Sequence, residues 1–236
     1  MTTYVLRHGQ TNYSRRYLVN GDPFQPIHLT EEGRRSLRNV WSEIPLRSVQ
    51  TWLASEFPRA QQTATLLTGV PAPELVIDPR LNELDYGKFE GSPFLEYAAW
   101  LDARGPTERP PGGTESQRDG IHRMLTGVLA ALEHPGPRVL VGHGLLVSAL
   151  LWYRDRTQGE MMPLFLPEAP YVEPIAIPDG ELPKWGEGLL NDLETGVRRD
   201  HAFDSGAGKF RIEGSPAVAT VDPVSHPPDQ KESPHA

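Results

Sequence analysis

The chain has 236 residues, of which 38% are hydrophobic and 23% charged, so it is long enough for one large domain with a sizeable core. A formal net charge of −8 and the lack of a basic tract argue against a nucleic-acid partner, whereas a few arginines focused in a cleft can still hold a small anion. No cysteine is present, which excludes disulfides and thiolate chemistry. The chain begins with an apolar strand pattern rather than a leader, and its longest apolar run, 145–152, is too short to cross a bilayer, so we expect a cytoplasmic protein without a membrane partner.

The first predicted strand ends in a cation and an imidazole. Tyr4-Val5-Leu6 is a short apolar run with β-forming side chains, and Arg7, His8 and Gly9 follow at once. Ligands of open α/β sheets bind at the carboxyl ends of such strands, so we expect Arg7 and His8 at the lip of a sheet. An arginine beside a histidine indicates an anion with a reactive centre, although a surface pair is the simpler interpretation of this segment alone.

A second cation is predicted near the start of a helix. Thr30 is a candidate N-cap for one helix, and residues 49–54 predict the next strand. Pro58 suits the first turn of the helix that follows, which brings Arg59 close to a helix N-terminus at the same end of the sheet as His8. A guanidinium beside free backbone N–H groups is a common phosphate site, although a solvated arginine is the simpler alternative here.

A glycine-containing loop follows the third predicted strand, 74–77. Residues 81–91 carry three carboxylates, Glu83, Asp85 and Glu90. A phosphoryl-transfer site needs one carboxyl near the phosphate as proton donor for the leaving oxygen. Each of the three could equally be a solvated loop carboxylate or the partner of an arginine.

A second histidine ends the fourth predicted strand. The pattern downstream predicts two helices, a strand and a buried helix in this order: 94–102, 114–131, 138–141 and 145–152. His143 lies between two glycines at the end of that strand, as His8 precedes Gly9. Adjacent central strands would bring the two histidines together, and Gly9 and Gly144 would let the backbone approach an anion. With two arginines nearby, an electropositive pocket becomes the better interpretation.

This ordered set of motifs resembles the histidine phosphatase superfamily, also called the phosphoglycerate mutase-like family. The resemblance covers roughly residues 3–195, and a single R-H-G tripeptide would be weak evidence where the ordered set is strong. The segments that carry it are Leu6–Thr11, Leu29–Gly33, Ser55–Ala64, Leu81–Glu83, Tyr86–Gly91, Gly113–Ser116 with Asp119 and Arg123, and Gly142–Gly144.

The resemblance implies an α/β fold, a three-layer α/β/α sandwich around a mostly parallel sheet. We expect a single domain over residues 1–213, with cap loops at about 92–113 and 161–174. Residues 172–192 resemble the family's closing hairpin, with a second strand up to the end of that span. The polar, proline-rich composition of 214–236 predicts a disordered tail.

The resemblance also implies a role for each matched side chain. His8 would be the nucleophile and become a phosphohistidine. Arg7 and Arg59 would clamp the phosphoryl oxygens, while His143 would hold the same group and stabilise charge in the transition state. Glu83 would protonate the leaving oxygen and then activate water.

The chemistry adds further expectations to these roles. A histidine nucleophile must be neutral on the attacking nitrogen, so its other ring N–H needs a fixed acceptor, for which we expect a backbone carbonyl near Gly9. Two arginines and a histidinium would neutralise the charge of the phosphoryl group without a metal ion, so we predict no metal and no cofactor. Ser14 stands where the family often has an asparagine on the phosphate, which implies a shorter contact or none. The expected substrate-binding residues are Arg7, Gly9, Ser14, Arg59, His143 and Gly144.

The resemblance leaves a choice of activity. Family phosphatases pass the phosphoryl group to water, whereas mutases return it to a carboxylate-bearing ligand held by a basic insertion after the acid/base loop. Here the span 92–112 is short, with Arg104 and Arg109 as its only cations. We therefore expect a phosphomonoesterase for a small phosphorylated metabolite. Mutase activity and a weakly catalytic binding or regulatory role are the alternatives, and a homodimer is one alternative for the oligomeric state.

Overall fold

A five-stranded sheet organises the described part of the chain. The computed structural model describes residues 1–40, 42–69 and 75–196. The strands are β1 Thr2–Arg7, β2 Thr51–Ala54, β3 Leu75–Ile77, β4 Arg138–Gly142 and β5 Ile175–Pro178. Their spatial order is β3-β2-β4-β1-β5, and every neighbouring pair is parallel except β1 and β5. The predicted mostly parallel sheet is confirmed.

Seven α-helices connect and flank these strands within the described ranges. They are α1 Asn12–Arg15, α2 Glu31–Val40, α3 Pro58–Thr68, α4 Phe94–Arg104, α5 Gln117–Ala130, α6 Gly144–Asp155 and α7 Leu182–Thr195. The predicted acid/base loop, 81–91, contains no α-helix, as expected. A short 3₁₀ turn, Pro79–Leu81, leads into it, and a second, Gly87–Phe89, lies within it.

The helices cover both faces of the sheet because successive strand side chains point in opposite directions. Val5 of β1 packs into a core with Leu125 of α5 and Leu146 of α6. Its neighbour Leu6 packs into a second core with Leu37 of α2 and with residues of α3. All of these side chains are almost completely buried. The predicted three-layer architecture is therefore confirmed.

The register of β1 and β4 aligns the two histidine motifs. Arg7 of β1 lies opposite Gly142 of β4 in the parallel ladder. The N–H of His8 continues this ladder by donating to the carbonyl of Gly142 at 3.0 Å. Since His8 and His143 each come directly after one of these strands, the predicted adjacency of the two histidines follows from the sheet itself.

Local sequence signals explain where the helices begin. The Thr30 hydroxyl accepts the N–H of Gly33 at 3.0 Å, as an N-cap of α2 should. Pro58 is the first residue of α3, the position where a missing N–H has least cost. α5 begins at Gln117 rather than at 114, because Ser116 forms a capping box that ends the preceding loop.

The described chain ends in a helix, and the predicted closing hairpin is wrong in its second half. β5 does pair antiparallel with β1. The following residues, however, form α7 instead of a strand up to Asp192. Pro183 is accommodated in the first turn of this helix, and Leu189 and Leu193 are buried at helical spacing in the core that α5 also lines.

The two predicted cap segments both belong to the folded body. Residues 92–113 include α4, with Tyr97 in the interior, and residues 161–174 run along the core with Ala169 and Val172 buried. The predicted tail, 214–236, and the end of the predicted domain lie outside the described residues. Within the described ranges, no helix combines the length and apolarity that a bilayer-spanning segment requires.

Candidate active site

Two buried imidazoles lie side by side at the carboxyl edge of the sheet. The ring centroids of His8 and His143 are 5.3 Å apart in an edge-to-face arrangement. His8 is 4% exposed and His143 is fully buried. Because buried polar groups need hydrogen-bond partners, the contacts of these rings define their protonation.

Both ring nitrogens of His8 have a partner, and these partners select one tautomer. Nδ1 lies 2.7 Å from the carbonyl oxygen of Gly9, which can only accept, so Nδ1 carries the proton. Nε2 accepts from Nε–H of Arg59 at 3.0 Å, so it carries the lone pair. Burial, followed by the charges of Arg59 and Arg7, lowers the pKa of His8 well below 6.5. His8 is thus a neutral imidazole with Nε2 as its nucleophilic atom, and the predicted Gly9 carbonyl is confirmed.

The surroundings of His143 favour the neutral ring as well. Its Nδ1 accepts from Nη2 of Arg59 at 3.2 Å, and Nε2–H donates to Oγ of Ser55 at 2.7 Å. Burial and the charge of Arg59 lower the pKa of His143 well below 6.5. The histidinium expected from the sequence is therefore corrected to a neutral imidazole in these surroundings. The edge of Phe57 packs against this ring with centroids 4.6 Å apart.

Arg59 is the central residue of the site, because its guanidinium contacts both histidines and the turn at Asn20. Nη2 donates to the carbonyl of Asn20 at 3.1 Å, Nη1 donates to the Asn20 side-chain oxygen, and the group lies 4.2 Å above the Phe57 ring. Burial lowers the pKa of Arg59 to about 10, while Glu83 is the first of the groups that act against this shift. The guanidinium therefore stays charged at neutral pH.

Asn20 is a site residue that the sequence did not indicate, and Glu90, one of the three candidate carboxylates, holds it in place. The Glu90 carboxylate accepts from Nδ2 of Asn20 at 2.5 Å and from the N–H of Gly21 at 2.7 Å, which fixes the turn that binds Arg59. The sequence marks Asn20-Gly21-Asp22-Pro23 as a turn, and that signal says nothing about a partner 39 positions away. A Cβ on Gly21 would lie 2.1 Å from the carbonyl of Leu84, so this turn packs directly on the loop that carries Glu83.

Arg7 is held by the 161–174 segment. Its guanidinium lies 4.0 Å from the centroid of the Tyr171 ring, and Nη1 donates to the Ala169 carbonyl at 2.6 Å and to the Glu168 carboxylate at 3.2 Å. Its Nε–H is buried without a hydrogen-bond partner within the described residues. The predicted cap segment thus positions this cation, and Tyr171 is a further residue that sequence reasoning did not assign.

The structure distinguishes Glu83 from the two other loop carboxylates. Asp85 is bound to two backbone N–H groups and a threonine hydroxyl. Glu90 is bound to the Asn20 turn. The hydrogen bond of the Glu83 carboxylate among the described residues is with the N–H of Leu84 at 3.0 Å. Glu83 is therefore the carboxyl that a ligand can engage.

The environment of Glu83 favours its acid form. Burial raises the pKa of Glu83 above 4.5, and the Leu84 N–H together with Arg59 and Arg7 acts in the opposite direction. Its side chain lines a cleft of about 380 Å³ that opens to the surface. The cleft is lined by Gly21, Pro79, Asn82, Glu83, Asp85, Thr114, Glu115 and Arg123. A carboxylic acid beside a cationic pocket can donate a proton to an atom held there.

Three residues that were predicted to contact the substrate, Ser14, Gly9 and Gly144, have other neighbours in the structure. The Ser14 hydroxyl belongs to the capping box of α1 with Thr11. The N–H of Gly9 donates to the Thr63 hydroxyl at 3.1 Å. Gly144 is the first residue of α6, and a Cβ there would lie 3.5 Å from Nε of Arg7. Substrate contacts by Ser14, Gly9 and Gly144 stay predictions.

The assembled geometry suits transfer of an anionic group to a nitrogen nucleophile. His8 presents a lone pair to Arg59 and lies next to the ring of His143. The charges of Arg7 and Arg59 act on both His8 and Glu83, while the residues that line the Glu83 cleft do not include either histidine. Such an arrangement neutralises and orients a phosphoryl group, which is most of what phosphoryl transfer requires. In the described ranges, no three histidine, aspartate or glutamate side chains converge as a metal site.

Known proteins share this fold and these motifs. A probable phosphoglycerate mutase GpmB from Cronobacter sakazakii is 30% identical over 160 residues, which are 64% of this chain and 73% of the relative. The solved structure of a putative alpha-ribazole-5'-P phosphatase from Escherichia coli is 26% identical with a TM-score of 0.54, covering 64% of this chain and 78% of its own. A phosphoglycerate mutase structure from Thermus thermophilus is 26% identical with a TM-score of 0.54, covering 75% and 92%.

The family follows from the extent of the match. The model of the histidine phosphatase superfamily (branch 1) matches residues 3–169, well over half of the chain and all the motifs that build the site. The solved relatives have phosphoglycerate mutase-like folds, in agreement with the sheet described above. The chain therefore belongs to the histidine phosphatase superfamily.

Proposed function

We propose that this protein is a metal-independent phosphomonoesterase that hydrolyses a small phosphorylated metabolite through a phosphohistidine on His8. The observation that carries the proposal is the pair of contacts of His8, with Nδ1–H on the Gly9 carbonyl at 2.7 Å and the Nε2 lone pair facing Arg59 at 3.0 Å. A nucleophile held neutral and oriented beside a guanidinium is suited to attack a phosphate ester.

In the first step, Nε2 of His8 attacks phosphorus and the bond from phosphorus to the ester oxygen breaks. The carboxylic acid of Glu83 gives its proton to the leaving oxygen, so the product is a neutral alcohol and Glu83 becomes a carboxylate. Arg7 and Arg59 stabilise the phosphoryl oxygens, and His143 orients the Arg59 guanidinium through Nδ1. Arg59 loses its hydrogen bond to Nε2, because that lone pair is now used in the N–P bond, and donates to a phosphoryl oxygen instead.

In the second step, the Glu83 carboxylate takes a proton from water and the resulting hydroxide oxygen bonds to phosphorus. The N–P bond breaks, its electron pair returns to Nε2, and inorganic phosphate leaves. His8 is again neutral and Glu83 again protonated, so the cycle closes without a net change in the enzyme. Burial raises the pKa of Glu83, which supports its role as the proton donor of the first step.

Hydrolysis is favoured over mutase chemistry by the charge of the cap. Arg104 and Arg109, the cations of the span 92–112, are both exposed. The aromatic side chains of this region pack into the interior: Phe89 and Trp100 lie around the ring of Tyr97. Nothing in this cluster supplies the basic surface that a carboxylate-bearing phosphate would need to be retained.

Mutase activity is the second candidate, and the named relatives favour it. Both the GpmB relative and the Thermus structure carry the mutase name, whereas the Escherichia coli structure carries a phosphatase name. The two activities share the phosphohistidine step and differ in its acceptor. An assay of the acceptor therefore separates them.

The test measures phosphate release from p-nitrophenyl phosphate and a panel of sugar phosphates, nucleotides, phosphoglycerates and amino-acid phosphates. In parallel, 3-phosphoglycerate with a trace of 2,3-bisphosphoglycerate is followed for interconversion. We expect hydrolysis that is abolished by His8→Ala and retained by His122→Ala, since His122 is an exposed histidine of α5. Rapid interconversion without phosphate release would show a mutase instead.

A further inference from the structure

Arg123 of α5 binds the backbone of the segment that leads into Glu83. Its Nη1 donates to the carbonyl oxygens of Arg80 and Asn82, each at 2.9 Å, and makes a longer contact of 3.4 Å with that of Pro79. Its Nη2 donates to the carbonyl oxygen of Glu83 itself at 3.3 Å. One guanidinium therefore contacts four carbonyl oxygens of a single loop. The planar guanidinium of arginine can do this, whereas the ammonium of a lysine cannot.

Glu115 completes this arrangement from the N-terminal side of α5. Its carboxylate binds Arg123 in a two-point ion pair, with Nε to Oε2 at 2.9 Å and Nη2 to Oε1 at 2.6 Å. The same Oε1 accepts the N–H of Asp85 at 3.3 Å. The loop is thus bound through the carbonyl of Asn82 before the acid and through the N–H of Asp85 after it, so that Glu83 lies between two bound backbone groups.

The backbone around Glu83 has more hydrogen bonds to Arg123 and Glu115 than its carboxyl has partners of its own. The carboxyl of Glu83 has a single hydrogen bond of its own within the described residues, to the neighbouring N–H of Leu84. Its placement therefore depends on the backbone that carries it. A general acid must lie within hydrogen-bond reach of the leaving oxygen, and a displacement of about 1 Å can cost two orders of magnitude in rate.

We propose that Arg123 and Glu115 are positioning residues that hold Glu83 where it protonates the leaving group. The inference rests on the proposed role of Glu83 in ester hydrolysis. Arg123 and Glu115 act through the Glu83 backbone, so in the first step, transfer of the phosphoryl group to His8, they matter only where the leaving oxygen needs a proton. Hydrolysis of the phosphohistidine is common to all esters, and kcat/KM reports the first step without it. A purely structural ion pair between α5 and the loop would affect all substrates alike.

The first experiment compares Arg123→Lys with wild type on two esters. Nitrophenolate leaves with little need for a proton, whereas the alkoxide of n-propyl phosphate needs one. We expect Arg123→Lys to reduce kcat/KM on n-propyl phosphate by about 10²-fold, within the range typical of general acid catalysis, and kcat/KM on p-nitrophenyl phosphate by less than about threefold. Equal losses on the two esters would overturn the inference.

A double-mutant cycle with Glu83→Gln tests whether Arg123 acts through Glu83. If it does, Arg123→Lys has no further effect on n-propyl phosphate once the acid is gone, because the interaction it supports no longer exists. The same fold-loss in both backgrounds would show that Arg123 acts independently. If Glu83→Gln itself loses equally on both esters, the proposed general acid fails, and that result is distinct from failure of the positioning role.

Two further variants guard against simple destabilisation. Arg156→Lys weakens a comparable ion pair, that of Arg156 with Asp192 between α6 and α7, and is expected to lower the Tm without any leaving-group dependence. Glu115→Gln removes the carboxylate that binds Arg123 and keeps the size of the side chain, so it tests the inference if Arg123→Lys does not fold. Leaving-group dependence in Glu115→Gln supports the inference, and equal loss on both esters overturns it.

Discussion

The Nε–H of Arg59 lies 3.0 Å from Nε2 of His8, the ring nitrogen that keeps its lone pair because Nδ1–H is bound to a backbone carbonyl. The same guanidinium contacts Nδ1 of His143 at 3.2 Å. Burial together with this one cation keeps both imidazoles neutral, and the cation also orients both rings.

Replacement of Arg59 by lysine should remove most of the activity. An ammonium keeps the charge but cannot reach both histidines and the Asn20 turn at once, since it lacks the planar fork. We expect kcat/KM for p-nitrophenyl phosphate to fall by about 10²–10³-fold, as for loss of other charge-stabilising donors. Arg35→Lys, which alters an exposed ion pair with Glu32, is the control and should change the rate by less than about twofold. Retention of a third or more of wild-type activity in Arg59→Lys would contradict the central role of Arg59 in the site.

The pH dependence of kcat/KM should show an acidic optimum. His8 must be neutral to attack, and its lowered pKa keeps it so at pH values below the ordinary 6.5. Glu83 must be protonated to donate, and its raised pKa keeps it so at pH values above the ordinary 4.5. Activity on n-propyl phosphate should therefore fall on the alkaline side as Glu83 loses its proton.

The Glu83→Gln variant isolates that alkaline limb. Its residual kcat/KM on n-propyl phosphate should lack the alkaline limb that wild type shows on the same ester. The second ionisation of a phosphate group near about pH 6 affects both enzymes alike, so the difference between their profiles reports Glu83. Identical profile shapes would count against the assignment of this acid.

Stability should decrease below about pH 6.5 because the buried histidines resist protonation. Their pKa values are lowered in the folded state, so the unfolded chain binds more protons as the pH falls below its own histidine pKa. Each such group costs up to about 1.4 kcal/mol of unfolding free energy per pH unit in that window. Denaturant titrations between about pH 8 and 5.5 measure this slope. His8→Asn should flatten it, whereas the exposed control His122→Asn should leave it unchanged, and equal slopes in all three proteins would refute the explanation.

The ring of Tyr171 should matter to catalysis through its face and not through its hydroxyl. The Arg7 guanidinium lies 4.0 Å from the ring centroid, and such a contact contributes about 0.5–2 kcal/mol. Tyr171→Leu should therefore lower kcat/KM by about 2- to 30-fold, whereas Tyr171→Phe, which keeps the ring, should stay close to wild type. A loss in Tyr171→Phe as large as in Tyr171→Leu would point to the hydroxyl instead.

The sequence predicted the parts of the site that strand geometry determines. His8 and His143 each follow a short apolar strand, and the parallel pairing of β1 with β4 is enough to bring them together. Arg59 was predictable for a similar reason, because Pro58 sets the start of α3. These signals are local, and the regular geometry of an α/β sheet converts them into long-range neighbours.

The remaining parts depend on contacts that no local pattern encodes. Asn20 has the composition of a turn residue, and its bonds to Arg59 and Glu90 arise only when two distant loops pack together. Tyr171 lies in a proline-rich segment without periodicity, so its contact with Arg7 has no sequence signal. The predicted second strand of the closing hairpin is wrong because Leu189 and Leu193, four residues apart, bury one face of the helix α7 in the core.

The most direct test of the central claim locates the phosphoryl group during turnover. The enzyme is mixed with n-propyl phosphate, quenched in alkali within milliseconds, digested and analysed by mass spectrometry, since phosphohistidine survives alkali and is lost in acid. We predict an increase in mass equal to one phosphoryl group on the peptide that contains His8, formed and lost at rates compatible with kcat, and absent from His8→Ala. Full turnover without phosphorylation of His8, or phosphorylation of another residue at a competent rate, would contradict the mechanism.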